Sequence, residues 1–521
     1  MFSLIQQKDN ELFFIMKIQI YYLSFLFYKQ FMSSLIIYED EVIDNYNEYL
    51  MSKRKEVTEI KNYKFNGKFN SKPTKAFKIK NKKIHYLTQS QILALVVLTF
   101  AVEYGFAIEM VFISPLFLKL DTPELLDSSI WLFPPVINLL LYPFIRYYSE
   151  SKSHQLKNAM IYFIIVSIMG IGLLADTKSL YVDSINKKTS VLIISIVSFT
   201  VMDVGLEMLG FACSALLEEY VNPKQQQKVQ QQRTFVDSFG KFTGFLVSSV
   251  LAFNFIYLNF DNFIENLSFA YLVGLIMILI GFGMVLISFP SKGLDLVQSN
   301  HKMRFSINSF LPGITFIFQL PQNMKIFLLS HFFTCGSQLF VSVYATLWSG
   351  ITMLEEGPQQ YNEAIRNIVF DIGISWGALA LCMSAILHLL TTLFLKQLGN
   401  HYTSTIYMIV NALAGASLLY TWSVNEFYSI FITLPFWGVQ TAVLSELPYK
   451  LANQLEDDQV RDTIKGLLPQ MLNLTTFFSQ AFMFFIIPLG FLLFSSVDDI
   501  SVSMFMSGIF SLIGSFLVCF L

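Results

Sequence analysis

From about residue 90 to the C-terminus the chain repeats one pattern, an apolar run of roughly 20 residues followed by a short polar break. That length matches a helix crossing the hydrocarbon of a bilayer at about 1.5 Å per residue. Within the runs apolar and polar positions do not alternate, so they do not read as strands of a membrane barrel. Helices are predicted instead, because lipid leaves each segment to satisfy its own backbone hydrogen bonds. The runs place twelve spans at 92–118, 129–149, 158–176, 189–216, 235–257, 268–289, 325–348, 364–395, 402–422, 427–449, 466–494 and 500–521.

The polar breaks orient these spans. An even number puts both termini on one side. The breaks after even-numbered spans carry Lys152, Lys157, Lys224, Lys228, Arg233, Lys292, Lys302, Arg304, Lys396, Lys450, Arg461 and Lys465. Those after odd-numbered spans are mainly acidic, with Lys178, Lys187 and Lys188 as exceptions. The positive-inside rule then predicts cytosolic termini. Residues 39–86 are polar and Lys-rich, while residues 1–38 hold an apolar, aromatic stretch interrupted by Lys17 and Lys29. Lys8, Asp9 and Glu11 are unlike the start of a secretory signal. The stretch near 11–38 is read as an interfacial helix or, if translation starts at Met51, as absent. Residues 1–86 are thus expected to be a cytosolic, largely disordered region.

The longest internal connection, 290–324, separates an N-terminal six-helix half (87–289) from a C-terminal one (325–521). Gly210, Ala215 and Glu218 at the end of span 4 are echoed by Gly438, Ala442 and Glu446 at the end of span 10. The expected class is an all-α membrane protein whose halves are related by a pseudo-twofold axis.

Composition narrows the function. Hydrophobic residues make up 54% and charged residues 14%, against roughly 25% charged in soluble domains. A net charge of -2 gives no field for a nucleic-acid partner. Cys213, Cys335, Cys382 and Cys519 all lie in apolar runs without metal-ligand spacing. No phosphate loop, paired metal ligands or nucleophile beside a base stands out, so neither an enzyme nor a cofactor or metal is expected.

An acidic group at a helix centre costs about 2.5–3.5 kcal/mol on insertion scales, so Glu103 and Glu109 on span 1 and Asp203 and Glu207 on span 4 need a reason. They are expected to line a wet cavity. The last two are one turn apart and share a face, and ionised carboxylates accept hydrogen bonds from a solute's hydroxyls. Carboxyls gathered in a poorly hydrated site share protons, as a proton carrier requires; alternatively they bond neighbouring helices and lock the bundle. Asp237 and Lys241, spaced i, i+4 on span 5, read as an ion pair. Glu218, Glu219, Arg233, Glu446 and Lys450, near the cytosolic ends, read as a gate. Trp376, inside span 8, is a candidate ring platform. His331, His388, Asn473 and Gln480 read mainly as interhelical hydrogen-bonding residues.

One stretch, VEYGFAIEMVFISPLFLKLDTPELLDSSIWLFPP (102–135), resembles the first two helices of the sucrose transporters and the proton-associated sugar transporters, through Glu103, Glu109, Ser114, Pro115, Trp131 and Pro134. VMDVGLEMLGFACSALLEEYVNPKQQQKVQQQR (201–233) resembles the family's fourth helix and following loop. EEGPQQYNEAIRNIVFDIG (355–373), FWGVQTAVLSELPYKLA (436–452) and KGLLPQMLNLTTFFSQA (465–481) continue the resemblance in order. It implies the twelve-helix major-facilitator fold, with helices 1, 4, 7 and 10 around a central cavity, and a role for Arg366 as a steering or clamping group. The chain departs from the family at the loop after span 2, where Ser149, Glu150, Ser151 and Lys152 lead into no arginine run. It departs also at Ser214, where the family has Arg, and at Leu347, where it has Asp. Lys241 with Asp371 is a candidate relocated charge pair.

The expected function is therefore proton-coupled uptake of a mono- or disaccharide by alternating access. The expected setting is a monomer in the plasma membrane or an intracellular vesicle or vacuole membrane, with the sugar, protons and the lipid bilayer as partners. A uniporter or carrier of another polar solute, and a non-transporting scaffold or sensor of the same fold, are the alternatives.

Overall fold

The structure, a computed structural model, describes residues 87–122, 129–141, 153–176, 188–221, 223–252, 263–289, 320–356, 363–397, 402–454, 461–493 and 499–521. All of these fall in one compact unit, Lys82–Leu521. The expectations for residues 1–86, and for most of the 290–324 connection, lie outside the described residues.

The helices are α1 (Gln89–Lys119), α2 (133–141, the described part), α3 (Ser153–Ala175), α4 (Lys188–Tyr220), α5 (Pro223–Ala252), α6 (Phe263–Ser288), α7a (Gln322–Ser337), α7b (Leu339–Glu356), α8 (Glu363–Gln397), α9 (Thr403–Val424), α10 (Ile430–Gln454), α11 (Arg461–Leu493) and α12 (Asp499–Val518). Their order reproduces the twelve predicted spans, with α7a and α7b forming span 7. Eight spans among the described residues are long and apolar enough to cross a membrane, and Met471–Ile486 and Val502–Val518 are shorter apolar segments.

Two details differ from the sequence reading. The segment 223–234, expected as a loop, is the first part of α5, begun by Pro223; proline is well suited to the first helical position because its missing N–H has no partner there anyway. Span 7 is broken at Gln338, which caps α7a immediately after the Gly336–Ser337 pair. The break is satisfied locally: Ser507 Oγ of α12 accepts the Phe340 backbone N–H at 3.3 Å. Gln440 of α10 donates to Ser337 Oγ, Asn411 Oδ1 and Ser511 Oγ at 2.9–3.0 Å. Irregular backbone survives at membrane depth only with such partners.

Packing repeats with an offset of six helices. α1 packs on α4, α5 and α6, as α7 packs on α10, α11 and α12; α3 packs on α4 and α6, as α9 packs on α10 and α12. This repetition is the signature of two related six-helix halves. The halves meet where α5 packs on α8 and α1 on α7b, and where Trp131 stacks on Phe484 of α11. Small residues allow the closest approaches. A Cβ at Gly240 of α5 would lie 2.7 Å from the Phe100 carbonyl oxygen, and one at Gly244 2.5 Å from Ala107 Cβ. This draws α5 onto α1 and delivers Lys241 to the bundle centre.

Candidate functional site

α1 is ringed by α4, α5, α6, α7b and α8, yet one of its stripes remains accessible. Val97, Phe100, Glu103, Phe106 and Met110 recur every three or four residues as half-accessible positions, and then Val111–Phe117 are all buried. On α4 the matching stripe is Thr200, Asp203, Glu207, Phe211 and Ser214. The α1 stripe runs from the end where α1 begins, the proximal end, to Met110, and beyond it towards the distal end the helix is buried through Phe117. Thr346 Oγ1 of α7b donates to the Met110 and Val111 carbonyls at 3.2 and 3.0 Å, where the stripe stops.

The acids gather between these two helices. The Glu109 and Asp203 carboxyls lie within electrostatic reach of each other. Glu207, one turn nearer the proximal end, lies within electrostatic reach of Asp203, Glu103 and Lys241. Glu109 is 4% exposed, and its Oε2 has no hydrogen-bond partner. Tyr271 of α6 lies within electrostatic reach of Glu109, and its buried hydroxyl is likewise without one. Nearby, the Tyr104 hydroxyl donates to the Ala270 carbonyl at 3.2 Å and ties α1 to α6. Two carboxyls can bond each other only with one proton between them.

Nearer the proximal end the charges pair across helices. Lys241 Nζ lies 3.2 Å from Glu103 Oε2. The i, i+4 partner of Asp237 is Arg233, at 3.6 Å, rather than Lys241. Tertiary packing of α5 on α1 outweighs the local spacing here, because Glu103 stands directly opposite Lys241. Ser238 Oγ and His388 Nδ1 are 2.8 Å apart across the α5–α8 seam, and Lys396 reaches Thr234 Oγ1 at 3.2 Å and Glu446 at 3.4 Å.

The remaining sequence-derived candidates are scattered. Asp371 is not beside Lys241; it pairs with Lys119 across the distal seam between the halves. That ammonium also lies 4.5 Å from the Phe263 ring centroid and 5.5 Å from that of Phe370. Arg366 is exposed on the first turn of α8, away from the acids. Trp376 is half-buried and meets Phe431 edge-on at 6.0 Å. Lys450 donates to the Leu395 carbonyl at 2.8 Å. Glu218 and Glu219 sit on the last turn of α4, and their side chains lie outside the described residues. Among the described residues no group of three or more His, Cys, Asp or Glu is placed to hold a metal.

Sequence reasoning missed Lys119, Tyr271 and Gln338. A lysine closing an apolar run looks like an interface anchor, and a tyrosine in one looks like packing. The Gly336–Ser337 pair was the signal for the broken helix. The distal pair gives a direct test. Lys119→Met should lower the melting temperature of the purified protein by the equivalent of about 2 kcal/mol, less than for a fully buried pair because both groups keep some solvent. Adding Asp371→Leu should restore it, since no uncompensated carboxylate then remains.

No family model matches the chain. Over 157 residues it is 18% identical to proton-associated sugar transporter A of human, and equally so to the mouse and rat proteins. The match covers 29% of this chain and 21% of those relatives, so the chain spans about a fifth of their length. Among solved structures it is similar to the nucleoside transporter NupG, with TM-score 0.55 and 14% identity over 82% of this chain and 98% of that one. A POT peptide transporter in complex with sulfate gives TM-score 0.58 and 9% identity over 84% and 96%. The E. coli fucose:proton symporter FucP gives 0.50 and 12% over 82% and 98%. The chain is thus an integral, multi-pass helical membrane protein with the major-facilitator fold of these transporters.

Proposed function

We propose that the chain is a secondary active transporter that carries a mono- or disaccharide with protons by alternating access. The observation that carries this reading is the gathering of Glu109, Asp203 and Glu207 between α1 and α4. Protons enter on the Glu109–Asp203 pair, and the solute lies against the accessible carboxyls above it. Similarity to proton-associated sugar transporter A supports the substrate class. With cytosolic termini, the proximal end of the bundle faces the cytosol. Lys119–Asp371 and Thr346 then form the outer closure, while Lys396–Glu446, Arg233, Lys450, Glu218 and Glu219 belong to the inner gate.

The test is uptake of labelled sucrose and glucose into proteoliposomes with an imposed pH gradient. An acidic exterior should accelerate uptake several-fold, and sugar addition should alkalinise the exterior. Uptake indifferent to the gradient favours the second reading, uniport. Ser214 favours that reading, since its hydroxyl donates at 2.7 Å to Gly210 within its own helix, as does the buried, uncharged Leu347.

A further inference from the structure

We propose that His388 is a proton-operated latch on the seam between the two halves: its neutral imidazole ties α8 to α5, and acid releases it. Three contacts cross this seam. Lys396 of α8 donates to Thr234 Oγ1 at 3.2 Å, Ser238 Oγ and His388 Nδ1 lie 2.8 Å apart, and Cys382 Sγ lies 3.9 Å from the Phe242 carbonyl oxygen. Thr234, Ser238 and Phe242 follow one another at i, i+4, i+8, so a single face of α5 carries all three. Of these contacts, only the middle one joins two buried polar side chains, Ser238 being 1% and His388 9% exposed.

The positions of the hydrogens follow from the acceptors. Ser238 Oγ also lies 3.0 Å from the Thr234 carbonyl oxygen, which can only accept. Ser238 has one hydroxyl hydrogen. Giving it to that carbonyl and letting His388 Nδ1–H donate to Oγ satisfies both contacts, whereas the opposite tautomer leaves one of them unmade. The neutral ring therefore carries its proton on Nδ1. Its Nε2, which makes no hydrogen bond among the described residues, is the basic nitrogen.

A proton on Nε2 is costly while the seam is closed. Lys241 of α5 and Lys396 of α8 both lie within electrostatic reach of the ring. The nearby carboxylates are already matched with cations: Glu103 with Lys241, Asp237 with Arg233 and Glu446 with Lys396. The other charges on the elements packed against α8 are engaged elsewhere or stand far along the bundle. Lys450 of α10 bonds the Leu395 carbonyl, Glu109 of α1 lies beside Asp203, and Lys119 pairs with Asp371 at the distal seam. Glu355 and Glu356 close the distal end of α7b, and Arg366 opens α8 there. An imidazolium at His388 is thus a third cation, out of water and without a carboxylate of its own. Parting the helices returns the ring to water, where an imidazole takes a proton near pH ~6.5. Each proton so taken favours the parted seam, so the closed arrangement weakens as pH falls below about 6.5 and is unaffected well above it.

This inference goes beyond the transport reading and does not depend on the solute. Cys382, 3% exposed on the seam, is a built-in reporter, and Cys519, exposed just after α12, is an internal standard for the pH dependence of thiol chemistry. Alkylation of the purified full chain by N-ethylmaleimide without sugar, read at each cysteine by peptide mass spectrometry, gives the ratio of the two rates. From about pH 8 to about pH 5.5 the Cys382 to Cys519 ratio should rise at least about 5-fold. His388→Asn, whose amide keeps a donor for Ser238 but does not titrate, should give a flat ratio. His388→Gln takes its place if the first variant does not elute as a monodisperse protein. Cys335, buried between α7a and α11, should stay unreactive throughout. A flat ratio in the wild type, the same rise in the amide variant, or a parallel rise at Cys335 overturns the latch. Each of these leaves proton-coupled sugar transport standing, because uptake is measured separately.

Discussion

Replacing Asp203 by Asn together with Glu109 by Gln should abolish sugar-driven proton movement in proteoliposomes, with at least a 100-fold loss of pH-gradient-driven uptake. The expectation follows from the geometry of the pair. The two carboxyls lie within electrostatic reach of each other, and Glu109 is buried. Neutral amides of the same shape preserve the contact but neither accept nor release a proton. About 2.7 kcal/mol lost from coupling corresponds to that 100-fold factor. Simultaneous recording of vesicle pH and labelled sugar separates the outcomes. Exchange of labelled for unlabelled sugar should survive, since it needs no net proton movement. Wild-type coupling in the double variant would remove the pair from the mechanism.

Gly438→Val should leave little folded protein, with a destabilisation of about 3 kcal/mol or more. A side chain built at Gly438 of α10 overlaps the Ser384 carbonyl group of α8, and that group is backbone, which cannot turn aside. The helices would have to separate along the α8–α10 seam. Gly172→Val is the matched control, because nothing lies within 4 Å of a Cβ there. Thermal unfolding in detergent, with size-exclusion elution as the check on folding, should show the first variant damaged and the second close to wild type. Equal melting temperatures would contradict the tight α8–α10 contact.

The acids were legible because a charge in hydrocarbon is costly whatever its neighbours, so Glu109, Asp203 and Glu207 stood out without any structure. Their partners were not legible. Asp237 and Lys241 had the spacing of a helical ion pair, but that spacing is worth only a few tenths of a kcal/mol, less than a cross-helix carboxylate delivers. Glu103 took Lys241 and Arg233 took Asp237. Asp371 joined Lys119 for the same reason, across 252 residues of chain. The polar start of α5 was hidden because glutamines and lysines are good helix formers whose pattern also reads as a loop.

Apolar run lengths alone determined the number of helices and their order, because the hydrocarbon thickness and the helical rise leave one solution for a segment of that length. They also marked which residues pay for burial. Where α7 breaks and which charge faces which were settled only by packing. Those facts depend on side chains from helices far apart in sequence competing for one another at a few ångströms, and no local pattern encodes that competition.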